Sequence, residues 1–314
     1  MNKALAVSFT SLAALCLLAA GVAAQDESAP DPSTVQTVES PIQLAWKFNE
    51  GDKLDLSIVQ DMEMEMTVLG NEVKTKMNMV MTMEWAVNEA DEKGAYDVTQ
   101  TFKRMKMTMD APPPIGKIEL DSDAKEKPEG LAATIYSAVK PLIGAKFTLA
   151  IDGTGKVSAV SVDDETKKAL ADNPQLEQFL SEDSLKTVLS QAGALLPAKP
   201  VKSGDSWDFE TEVKSQVGMM KMAGKNTLAG VIDREGKRLA KVDLESTIEL
   251  EPDGPLKLTL KEQEAKGSLL FDIAAGRLAE STMVQKMTMS IDAGGMTIEQ
   301  TINSTTRLKV TEAK

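Results

Sequence analysis

The sequence predicts a mainly β, α+β protein: a long antiparallel sheet, curved like a half-barrel, with a central helical insertion packed on its apolar face. Three observations predict it. Seven long segments alternate apolar and polar residues with period two. Short Gly- or Asx-containing turn signals separate many of them. Helical spacing is confined to the middle of the chain, from 129 to 196.

Taken in order, residues 1–24 read as a secretory signal peptide. Lys3 supplies the positive start, Ala4 to Ala20 the apolar run, and Val22-Ala23-Ala24 the small residues at a cleavage point after Ala24. Cys16 lies mid-run after Ala14-Leu15, a poor context for lipid attachment. Residues 25–40, polar with Pro and Ser, read as a flexible leader. Residues 41–314 then form a single β-rich domain, with no later stretch long and apolar enough for a membrane-spanning helix. The expected location is the periplasm or the exterior. Removing the first 24 residues takes Lys3 away and leaves one fewer than the chain's 35 basic residues against 48 acidic ones. That balance argues against nucleic acid or an anionic membrane surface as a partner.

The alternating segments are Leu54 to Val68, Glu72 to Val87, Tyr96 to Met109, Lys237 to Leu250, Leu256 to Ile273, Arg277 to Ile291 and Met296 to Val310. Gly70-Asn71, Glu92-Lys93-Gly94, Glu235-Gly236, Asp253-Gly254, Ala275-Gly276 and Gly294-Gly295 are the turns that make them an antiparallel meander. Leu131, Ile135, Val139, Leu142 and Ile143 predict a helix over 129–143, strained near its end by Pro141. A hairpin from Phe147 to Val162 turns about Asp152-Gly153-Thr154-Gly155. Leu176, Phe179, Leu180, Leu185, Val188, Leu189, Ala192 and Leu195 predict a second helical stretch, ended by Pro197 and Pro200. Gly51-Asp52 and Gly204-Asp205 each open a β run, so the order of parts reads either as two pseudo-repeat halves, 41–196 and 197–314, or as one continuous sheet.

Methionine carries the functional signal. Met62, Met64 and Met66 alternate, as do Met77, Met79, Met81 and Met83, and then Met105, Met107 and Met109. Period two puts each series on one strand face, and neighbouring strands would merge them into one apolar patch. Glu63, Glu65, Asn78, Thr82, Lys106 and Thr108 fall on the opposite, solvated face. Three readings follow. The patch is core, covered by the central helices. It is core that also shelters a lipid or other hydrophobic ligand, since methionine adapts to variable shapes. Or it binds Cu(I) through thioethers. The third is weakest, because strand geometry already explains the alternation and residues two apart lie roughly 6.6 Å from each other. No metal and no cofactor is expected.

The absence of histidine removes Ser-His-Asp chemistry and the usual zinc sites. Ser137 and Lys140 have a Ser-x-x-Lys spacing, but no companion motif follows, so they read as two positions on a helix. Asp121, Asp123, Asp163 and Asp164 could pair as glycosidase carboxylates only because acidic residues are plentiful. Aromatic platforms are scarce, with three Trp and two Tyr. The expected protein is therefore not an enzyme. The alternatives are a structural or protein-interaction role in the envelope, with no partner named by the sequence, and a carboxylate-based hydrolase.

Several pieces resemble a family of exported bacterial proteins classed as a domain of unknown function and frequent in planctomycetes. They are Trp46-Lys-Phe48 before Gly51-Asp52, Val59-Gln60, the hairpin at Gly94, Thr99 to Met107, Asp121-Ser122, Phe147 to Val157 and Leu196 to Trp207. The resemblance implies a secreted β-rich protein and brings no catalytic residues with it. The expected architecture is also similar to periplasmic lipoprotein carriers, whose half-barrels shelter acyl chains.

Overall fold

The computed structural model describes residues 34–68, 70–91, 94–171, 180–182, 185–186, 196–215, 218–252, 257–293 and 296–313. The expected signal peptide, the first part of the leader and most of the second helical stretch lie outside these residues. Among the described residues twelve strands form one antiparallel sheet. These are β1 (Lys53–Val68), β2 (Asn71–Ala90), β3 (Ala95–Asp110), β4 (Lys117–Asp121), β5 (Lys146–Asp152), β6 (Val157–Val162), β7 (Ser206–Ser215), β8 (Gly218–Arg234), β9 (Lys237–Pro252), β10 (Lys257–Asp272), β11 (Arg277–Ala293) and β12 (Met296–Glu312). All seven alternating segments are strands. The path runs β6-β5-β3-β2-β1-β12-β11-β10-β9-β8-β7, with β4 alongside β3, and its ends do not meet, so the sheet is not a closed barrel.

The polarity of the sheet follows its alternation. Cross-strand ion pairs line the outer face where β1 meets β2, Lys76 with Glu63 at 3.4 Å and Lys74 with Glu65. The inner face holds Leu54, Leu56, Ile58 and the methionines. A transmembrane barrel has the reverse arrangement, apolar outward. No helix among the described residues is long and apolar enough to cross a membrane.

Curvature is fixed by a strap, residues 34–49, crossing the end of the sheet where β1 begins. The strap and β8 exchange two hydrogen bonds, Gln36 N–H to Val231 O at 2.8 Å and Val231 N–H to Gln36 O at 2.9 Å. Val38 and Ser203 pair next, then Ile42 and Val201. Trp46 N–H then donates to Gly153 O in the β5–β6 turn, and Lys47 N–H to Gly276 O in the β10–β11 turn. Five strand-to-strand steps separate β5 from β11, roughly 24 Å in a flat sheet. Adjacent residues of one strap reach both turns because the sheet curls. The leader expected over 25–40 therefore needs correcting: residues 34–40 belong to the fold, since Val38 is buried and the backbone at Gln36 is paired. Gly230 makes the crossing possible, as its backbone sits at φ +156° at a bulge and a Cβ there would lie 2.4 Å from Gln36 O.

Helix α1 spans Gly130–Val139 and stops before a single 3-10 turn, Lys140–Leu142. Pro141 cannot donate the next helical hydrogen bond, so the expected helix over 129–143 divides there. Ala132, Ile135 and Tyr136 of α1 pack on Met107, Met109, Ile118 and Leu120. Helix α2, Asp164–Ala171, is capped by Asp163, whose carboxylate accepts from Glu165 N–H and Thr166 N–H at 2.9 Å each. Leu180 and Leu185, from the second predicted helical stretch, join the core around Phe147 and Leu149.

One local geometry recurs in the two halves. Gly51 N–H donates to Val87 O on β2, and Val87 N–H returns to Asp52 O; Gly204, Leu228 on β8 and Asp205 repeat both bonds. Asp52 Oδ2 accepts from Asn49 N–H at 3.0 Å, and Asp205 Oδ2 from Lys202 N–H at 3.0 Å.

Candidate functional site

The inner face changes character along the strands. At the strap end it is aromatic: Trp46 stacks on Phe48 with centroids 5.6 Å apart and meets Phe271 edge-on at 5.8 Å. Trp85 and Tyr96 complete this plug, and Trp46 touches the apolar clusters of both halves. Beyond it, toward the far end of the sheet, methionine takes over.

All ten predicted site methionines lie on this inner face. Met62, Met64, Met79, Met81, Met83, Met105, Met107 and Met109 are buried, and Met66 and Met77 half-buried. The register sets them side by side: Met62 opposite Met77, then Met77–Met109, Met79–Met107 and Met81–Met105. Their buried members fall into three clusters, two of which share Met77 at their edge. Met79, Met81, Met83 and Met105 belong to the core with Phe102, Phe147 and Leu180. Met107 and Met109 pack beneath α1 and β4. Met62 and Met64 join Met287, Met289 and Ile302. Half-buried Met66, Met77, Leu258, Leu260 and Ile291 rim this third cluster, whose described members all come from strands.

Polar residues interrupt the apolar face along one track. Gln60 on β1 lies opposite Met79 of β2 on one side and Thr306 of β12 on the other. One step along, Met62 faces Ser304, which faces Gln285. Gln300 is buried, with its Nε2 2.7 Å from Met64 Sδ. Gln60 is 3% exposed, and its buried Oε1 has no hydrogen-bond partner among the described residues. An unmet amide in such a place costs about 1–3 kcal/mol of stability.

A second irregularity lies between β9 and β10. Their ladder ends at Ala265–Ser246, although both strands continue. Gln263 substitutes for it: its Oε1 accepts from Ile248 N–H at 2.9 Å, and its Nε2 donates to Ser246 O at 3.2 Å. A bulge between Leu260 and Glu262 turns β10 away there. The fork opens a cavity of about 630 Å³ bordered by Phe209, Gly224, Ser246 and Gln263.

Of the carboxylates considered for chemistry, Asp121 and Asp163 are held by structural partners and Asp123 lies 3.5 Å from Arg104. Asp121 receives hydrogen bonds from Arg104, at 2.9 Å from its Nε. Those bonds, with the Asp123 N–H, hold the Asp121 carboxyl well below its ordinary range, at about 2, against burial. Asp163 caps α2; burial acts to raise it, but the Thr166 and Glu165 bonds prevail and hold it below normal. Asp152 likewise stays low because Thr154 and Lys156 bond it within the turn, outweighing burial. Ser137 Oγ donates back to Ala133 O at 2.9 Å, and Lys140 is exposed, so the Ser-x-x-Lys spacing is an ordinary helix surface. No group of three or more acidic side chains is arranged to hold a metal among the described residues.

Gln60, Gln263 and the Trp46 plug were not singled out as site residues by the methionine pattern. Gln60 had a signal: the inward positions of β1 read Leu54, Leu56, Ile58, Gln60, Met62, Met64, Met66, with one polar member.

No curated protein sequence matches the chain. Among solved structures, lipovitellin, described for its lipid–protein interactions, is 10% identical with a TM-score of 0.45, covering 85% of this chain. This chain spans about a quarter of that one, 26%. An outer-membrane channel from Pseudomonas putida F1 is 8% identical, with a TM-score of 0.26, covering 85% of this chain and 97% of that one. DynF of the dynemicin pathway of Micromonospora chersina is 10% identical, with a TM-score of 0.18, covering 90% and 93%. A family model matches residues 93–306, more than half of the sequence, and the chain belongs to the Family of unknown function (DUF6263).

Proposed function

We propose that this is an exported, non-enzymatic protein that holds a lipid or similar apolar guest on the methionine-lined inner face of its sheet. The observation that carries the reading is the cluster of Met62, Met64, Met287, Met289 and Ile302, with its half-buried rim of Met66, Met77, Leu258, Leu260 and Ile291. A core needs defined shapes, which methionine specifies poorly; a site for guests of variable shape gains from unbranched, polarizable side chains. The strap and its aromatic plug occupy one end of the trough, which leaves the methionine end as the adaptable one. The signal-like first 24 residues support export, and the carboxylates bound up in turns, caps and ion pairs favour a role without catalysis.

Native mass spectrometry of protein purified from an envelope fraction without detergent tests this. The expected result is an added mass, identified as lipid after extraction and lost in a folded variant carrying Met64→Lys and Met287→Lys. A clean unliganded mass, with no uptake of N-phenyl-1-naphthylamine, would favour the second reading, a structural or protein-binding envelope component whose methionines are core.

A further inference from the structure

We propose that Gln60 is the polar anchor of this site, and that its guest is an aliphatic molecule bearing a neutral hydroxyl, such as a long-chain alcohol or a lipid with a free hydroxyl group. The inference rests on the guest-site reading above and names the class of guest. Gln60 lies on the same face of β1 as Met62 and Met64 and directly opposite Met79, between the core methionines and the strand-only cluster. Its amide oxygen is buried and has no partner among the described residues. Buried amides are nearly always hydrogen-bonded, so an unmatched one facing soft, movable side chains is a group waiting for a partner. A hydroxyl both donates and accepts, and therefore satisfies a carboxamide in either orientation of its oxygen and nitrogen.

The neighbouring polar groups are of the same neutral kind. Thr306, Ser304 and Gln285 continue from Gln60 across β12 and β11. The inward positions of β1, β12 and β11 in this zone carry neither Lys nor Arg. Burying a carboxylate or phosphate there would leave its charge uncompensated, which disfavours an ionised fatty acid. In this proposal Met79 and Met62, beside Gln60, part for the guest, and the guest's alkyl chain lies along Met62, Met64 and Met287.

The test measures displacement of N-phenyl-1-naphthylamine by 1-dodecanol, dodecane and dodecanoate at neutral pH, in the native protein and in Gln60→Met and Gln60→Leu variants. Both substitutions keep an apolar side chain of similar size in place of the amide. The native protein is expected to bind dodecanol at least tenfold more tightly than dodecanoate. Each variant should lose about tenfold in dodecanol affinity, the worth of one buried hydrogen bond, and keep its dodecane affinity. Unliganded variants should melt at or above the native temperature, because the unmatched amide is gone. An unchanged dodecanol-to-dodecane ratio in the variants overturns the anchor while the guest site stands, and so does a lowered melting temperature, which shows that the amide is already satisfied. Absence of binding by all three probes in the native protein overturns both the anchor and the guest site.

Discussion

At Asp121 the pair with Arg104 has a pH consequence that can be read from sign alone. Its carboxyl titrates at about 2 in the fold, held down first by the Arg104 hydrogen bond, against about 3.9 in an unfolded chain. A depressed folded value means the pair stabilises the protein above pH 4 and loses that contribution as pH falls through 2. Asp121→Asn should lower the urea midpoint at pH 7, modestly because Arg104 is partly solvated. The difference from the native protein should close between pH 4 and pH 2; a pH-independent difference would contradict this origin. At Gly230 the constraint is steric. Gly230→Ala places a methyl against the strap's backbone and should cost about 1–3 kcal/mol, measured by denaturant unfolding. Trp46 bridges the clusters of both halves, so Trp46→Ala should cost about 3–5 kcal/mol.

Among the elements, the fork between β9 and β10 makes a distinct prediction. Backbone direction alternates along a strand, so Val242, Leu244, Ile248 and Leu250 all turn their N–H groups toward β10. Val242 and Leu244 lie within the ladder, Ile248 is held by Gln263, and Leu250 lies beyond both. Hydrogen exchange should be slow at Val242 and Leu244 and fast at Leu250, with Ile248 accelerated in Gln263→Ala. Equal protection along all four would mean that the fork is closed in solution. The strands themselves were legible because each alternating segment contains long period-two stretches, even where a bulge shifts the phase as in β3 and β10. The fork was not, since Gln263 reads in sequence as one more polar position of an alternating run and only register shows what it faces. β7 and β8 were legible only as a β run opened by Gly204-Asp205, because Gly224 and Gly230 break the alternation for reasons of close approach: a Cβ at Gly224 would sit 2.3 Å from Phe209. The strap was hidden for a similar reason. One buried valine, Val38, and a few long-range backbone bonds hold residues 34–40, and composition does not report such bonds.

For the whole molecule, the β1–β12 ladder joins the first half of the chain to the second, and the strap ties 36–42 to Val201 and Val231. The halves 41–196 and 197–314 share this ladder, so the described chain should unfold in one transition, and neither half alone should melt cooperatively in calorimetry. The methionine patch was legible as three series on one face. Its division into core, helix-covered and strand-only groups was not, because which face of which neighbour a thioether meets depends on the curl of the entire sheet. That division can be tested by a titration of ε-methyl-labelled methionine with 1-dodecanol, followed by NMR. A guest on this face should shift Met62, Met64, Met66, Met77, Met287 and Met289 and leave Met81 and Met105 unmoved in the core. Saturating alcohol that moves none of the first group, or moves Met81 and Met105 equally, would contradict a guest site on this face.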